Sequence, residues 1–117
     1  MPERDAGLLI EDMLAAIRKI KRYTAGMDQA SFRQDERTVD AVVRNLEVVG
    51  EAARRIPEEL TSRHADLPWR QVAGLRNRIV HDYIGLDLEI IWQVIRHDLP
   101  PLEARLAELA GLLNSGR

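Results

Sequence analysis

Cysteine is absent from this chain, which removes disulfides, cysteine-ligated zinc and a thiol nucleophile from the chemistry open to it. Aromatic residues make up only 4%. Strands draw heavily on Tyr, Phe, Trp and Thr, whereas Ala, Leu, Glu and Arg dominate here, so the composition points to helix. No apolar run approaches the eighteen or so residues of a membrane span, and Glu3 and Asp5 stand where a secretory leader would carry positive charge. A cytoplasmic protein without a membrane segment is expected. The net charge is −2, so no general attraction draws the chain to nucleic acid and any such contact has to be local. Lysine is nearly missing, with Lys19 and Lys21 alone. The resulting arginine bias suits phosphate recognition but equally reflects a GC-rich genome, and it carries no weight here.

What is present reads as one helical domain over residues 1–117. From about Asp5 to Tyr23, Leu9, Ile10, Met13, Leu14, Ile17 and Ile20 recur at spacings of three and four, the mark of an amphipathic helix. Gly26 is expected to end it. After a polar connector with a short turn around Ser31 and Phe32, Asp35 or Thr38 caps a second helix carrying Val39, Val42, Val43, Leu46, Val49 and Ala53. Gly50, inside that helix, costs about 1 kcal/mol relative to alanine and suggests close approach of a neighbour, or simple tolerance. Glu58 to Arg63 offers at most a short helical turn.

Trp69 opens a third main helix, with Val72, Leu75, Ile79 and Tyr83 as its stripe and Gly85 as its stop. Asp87 then caps a segment whose Leu88, Ile91, Trp92 and Ile95 point inward, until Pro100 and Pro101 interrupt it. A last helix carries Leu102, Leu106, Leu109, Leu112 and Leu113. No strand signal competes. The predicted fold is all-α, an up-and-down helical bundle.

Near the end of the third helix, Arg76, Asn77, Arg78, His81 and Tyr83 group an arginine pair, an amide, an imidazole and a phenol. These are the parts of a metal-free RNA-cleaving site. Histidine takes and gives a proton near neutrality, and arginine supplies a planar cation that matches two phosphate oxygens. On a regular helix Asn77 and His81, four apart, lie about 40° from each other, so the amide can orient the ring. Gly74 lies on that same stripe, where a partner backbone could approach. Arg76 and His81, five apart, diverge by about 140°. Either the helix loosens near His81 or a twofold axis brings two copies together, and the second is the favoured expectation.

The pattern Arg76-x4-His81-x-Tyr83 resembles that of the HEPN ribonuclease superfamily and, more narrowly, the HepT toxin group. Flanking segments are also similar: Asn45 to Ala53, Pro68-Trp69, Gly74 to Asn77 through Gly85, and Ile91-Trp92 through Asp98-Leu99-Pro100, together spanning roughly residues 38–102. The resemblance implies a homodimeric, metal-independent endoribonuclease toxin of a type VII-like toxin–antitoxin system, with Arg76 and His81 catalytic and no cofactor. It further implies an MNT-type nucleotidyltransferase antitoxin that uses ATP to attach AMP to Tyr83. A nucleotide at the cleft edge adds bulk and negative charge where substrate phosphates must bind.

In this reading His81 assists removal of the ribose 2′-hydroxyl proton or protonates the leaving 5′-oxygen, while Arg76 stabilises the pentacoordinate phosphate. Arg78 is a second phosphate contact or pairs with Asp82. The RNA target, transfer RNA or message, is open. Taken alone, His81 also reads as a helix C-terminal histidine favoured by the dipole, Tyr83 as a core residue with a wet hydroxyl, and Trp69 and Trp92 as packing. No metal site is expected: His64 and His97 lack ligand spacing, and no histidine follows a glutamate by three. The competing class is a non-catalytic helical module that dimerises or binds a partner.

Overall fold

The computed structural model describes residues 2–81 and 85–115. Two long helices, α1 (Pro2–Tyr23) and α3 (Glu36–Arg55), are joined through short α2 (Gln29–Gln34). Short α4 (Glu58–Arg63), α5 (Trp69–Ala73) and α6 (Leu75–Ile79) follow, then a two-residue antiparallel bridge between β1 (Val80–His81) and β2 (Gly85–Leu86). The chain closes with α7 (Leu88–Gln93), a π-helical turn (Val94–Asp98) and α8 (Leu99–Ser115). The all-α bundle is as expected. The bridge is an addition that period-two reading misses, because two residues per strand are too few to show alternation.

α1 packs against both α3 and α8, and α3 also packs on α5. The stripe Leu9, Ile10, Met13, Leu14, Ile17 and Ile20 is buried against Val39, Val42, Leu46 and Val49 of α3 and Leu102, Leu106 and Leu109 of α8. Leu112, expected inside, is 60% exposed. Residues 102, 106, 109 and 113 advance by four, three and four, so Leu112 stands about 90° from the centre of their stripe. Phe32 of α2 is fully buried, its ring 5.3 Å from that of Trp92 on α7.

The turns follow their local chemistry. Gly26, at φ +78°, ends α1 where an L side chain would be strained. Asp28 and Ser31 form a reciprocal capping box on α2. Asp35, rather than Thr38, caps α3 by accepting from the Thr38 N–H at 3.0 Å. The prolines at 100 and 101 do not interrupt the last helix as expected. They lie in the opening residues of α8, directly after a π-helical turn whose wider spacing accommodates prolines that cannot donate a backbone hydrogen bond. The preceding turn widens so that the Leu99 N–H reaches the Val94 carbonyl, and the chain stays helical from α7 into α8.

Candidate active site

The site is built on the seam where α5 meets α3. A Cβ added to Gly50 would lie 3.1 Å from the Val72 carbonyl oxygen, so the mid-helix glycine does mark close approach of another helix. At the end of α5 the Ala73 carbonyl accepts from Arg54 of α3 at 3.2 Å. Gly74 then breaks the helix, at φ −93° and ψ 10°. The single helix expected from Trp69 toward Tyr83 is therefore two short ones, with Val72, Leu75 and Ile79 still buried.

This joint swings Arg76 over α3. Its Nε stands 3.9 Å from Oε2 of Glu47, with the arginine side chain 65% exposed. Glu47, Gly50, Glu51, Arg54, Ala73 and Arg76 rim a small hollow of about 100 Å³. The guanidinium is thus held at the surface by a weak, solvent-screened contact that a phosphate can displace.

α6 stops at Ile79, before the histidine. The Asp87 N–H donates to the Ile79 carbonyl at 2.8 Å, and Val80 turns extended at φ −114° and ψ 123°. His81 consequently lies on β1, opposite Gly85, whose φ of +78° lets the chain reverse. The angles expected from an unbroken helix do not apply: Asn77 remains exposed on α6, while His81 has left it. The helix does loosen before His81, one of the two expectations, but among the described residues this does not pair His81 with Arg76.

The half-buried imidazole sits with Nε2 3.7 Å from Oδ2 of Asp87, whose other oxygen accepts from the Ile90 N–H at 3.1 Å to cap α7. Arg78 reaches Asp98 of the π-helical turn at 3.4 Å. Tyr83, and Asp82 as a partner for Arg78, lie outside the described residues. Among the described residues, Arg76 and His81 make no ion pair or hydrogen bond with each other; their acidic neighbours are Glu47 and Asp87. No three His, Asp or Glu side chains converge as a metal ion needs, again among the described residues.

Sequence reasoning reads Asp87 only as a cap and passes over Glu47 and Asp98 as site neighbours. A signal for Asp87 exists: a reversal at Gly85 brings a residue six positions after His81 back beside it. Glu47 and Asp98 come from α3 and the π-helical turn, and no local spacing announces them.

A family model described as ribonuclease HepT-like matches residues 13–109 and so covers every residue of this site. A protein of Thermococcus cleftensis named "Probable ribonuclease HepT" is 34% identical over 100 residues, spanning 86% of this chain and 91% of its own. Relatives from Methanocaldococcus jannaschii and Caldanaerobacter subterraneus, each named as a candidate RNase, are 35% and 32% identical over 100 residues. Each alignment covers 86% of this chain, and 83% and 89% of the respective relative. No solved structure matches. With its site inside the matched region and its relatives aligned over most of their length, the chain belongs to the HepT-like ribonuclease family.

Proposed function

We propose that the protein is a metal-independent endoribonuclease that works as a homodimer, with Arg76 and His81 of two protomers lining one RNA cleft. The observation that carries this reading is the surface exposure of a guanidinium and an imidazole on adjoining elements, inside the region that matches a ribonuclease family. In the reaction, His81 takes the proton from a ribose 2′-hydroxyl and the 2′-oxygen attacks phosphorus. The bond to the 5′-oxygen breaks, and a second imidazole returns a proton to that oxygen. Arg76 stabilises the charge on the pentacoordinate phosphate, with Asn77 and Arg78 as orienting or phosphate contacts. The products are a 2′,3′-cyclic phosphate and a 5′-hydroxyl.

We further propose that the protein acts as a toxin neutralised by an MNT-type nucleotidyltransferase, which attaches AMP from ATP to Tyr83. Tyr83 follows His81 by two residues in the sequence, and an AMP attached to it adds negative charge that repels substrate phosphates. Incubation with RNA tests the first part: wild-type protein cuts, and His81→Ala stays folded and inert. Co-incubation with ATP and such a transferase tests the second: AMP mass appears on the wild-type protein and not on Tyr83→Phe. A folded protein that cuts nothing is a binding module instead.

A further inference from the structure

Asp87 has three separate attachments. Its N–H is bonded to the Ile79 carbonyl at 2.8 Å, its Oδ1 accepts from the Ile90 N–H at 3.1 Å, and its Oδ2 faces Nε2 of His81 at 3.7 Å. The first two anchor the carboxylate between the end of α6 and the start of α7. The second carboxylate oxygen, Oδ2, is left to face the imidazole, and the Asp87 side chain is itself only a quarter exposed. The separation from His81 is longer than a hydrogen bond, but closing it takes less than about 1 Å, and contacts of this kind tighten when substrate is bound.

We propose that Asp87 is the positioning residue of the site: it orients the His81 imidazole and selects the tautomer that carries its proton on Nε2. This rests on the ribonuclease reading above. A carboxylate has only acceptors, so the ring nitrogen facing it must be the donor. Nδ1 is then the nitrogen that takes the 2′-hydroxyl proton. The β-bridge supports the geometry, because antiparallel pairing of Val80 with Leu86 and of His81 with Gly85 fixes the two backbone segments that carry the ring and Asp87.

The cap and the ring contact can be separated by substitution. Asn and Ser cap helices about as well as Asp, so Asp87→Asn and Asp87→Ser keep the Ile90 bond and the fold. Asn, with its oxygen on the cap, presents an amide donor to the ring and favours a proton on Nδ1 instead. Ser is too short to reach. Both variants are expected to melt as the wild type does while kcat for RNA falls about 10- to 100-fold, with KM nearly unchanged. ¹⁵N NMR of the imidazoles, recorded at a pH high enough that the ring signals no longer move, reads the tautomer without any turnover. His81 should be protonated on Nε2 in the wild type and shift toward Nδ1 in Asp87→Asn. A wild-type kcat in both variants, or a wild-type ring with a bare Nε2, overturns the proposal. If the wild-type protein fails to cut RNA, the ribonuclease reading falls, while the tautomer still decides whether Asp87 sets the ring.

Discussion

Gly50 of α3 faces the carbonyl oxygen of Val72 so closely that a Cβ would stand 3.1 Å away, and this contact sets the height at which Arg76 rides above α3. Replacing the glycine by alanine gains about 1 kcal/mol of helix propensity and must push α5 outward by a few tenths of an ångström. These effects nearly cancel, and Gly50→Ala is expected to change stability little. Gly50→Val adds branches against backbone that cannot rotate away, and should cost about 1–3 kcal/mol. Urea denaturation of the two variants separates the outcomes.

Phe32 and Trp92 tie α2 to α7, and through α7 they support Asp87. Phe32→Ala empties a fully buried site, with an expected loss of about 3–5 kcal/mol, whereas Phe32→Leu should lose far less. Thermal melts check the order. Because the loss is global, any drop in activity should track the folded fraction.

In the proposed reaction, Glu47 competes with substrate for Arg76. The pair is exposed and 3.9 Å apart, so removing the charge leaves stability nearly unchanged. Glu47→Gln is expected to lower KM for RNA without lowering kcat. Arg76→Ala should reduce kcat about 100- to 1000-fold, the usual effect of deleting one preorganised donor to developing charge. Steady-state kinetics on a fluorogenic RNA measures both.

Much of the fold was legible from the sequence, and what was not has a physical cause. Helical periodicity identified α1, α3 and α8 because their buried stripes run for many turns, and Asp87 announced itself as a cap. The break at Gly74 and the stop at Ile79 were not legible. Val72, Leu75 and Ile79 keep helical spacing across the joint, and the stop depends on a hydrogen bond from Asp87, eight residues on. The acidic neighbours of Arg76 and Arg78 come from elements distant in the chain, which spacing along the sequence cannot reveal. Pro100 and Pro101 read as a break because the widened turn that accommodates them has no signature of its own.

Among the described residues, three carboxyl groups lie below their ordinary value of 3.8. The Ser31 N–H holds Asp28 down, the Thr38 N–H does so for Asp35, and the Arg105 guanidinium for Asp66. A depressed folded-state value means that the unfolded chain binds more protons, so stability rises with pH through that window. The contribution is complete above the unfolded value and is lost as pH falls through the lowered ones. The melting temperature should hold steady down to about pH 5 and fall below about pH 4. Asp66→Asn should flatten part of that fall.

The most direct measurement is the chemistry of the cut end. Purified protein is incubated with a defined RNA in excess EDTA, and the product termini are identified by mass. Wild-type protein is expected to leave 2′,3′-cyclic phosphate and 5′-hydroxyl ends, and folded His81→Ala to leave none. Products with free 3′-hydroxyls, cleavage abolished by EDTA, or undiminished cutting by His81→Ala would contradict the proposed reaction.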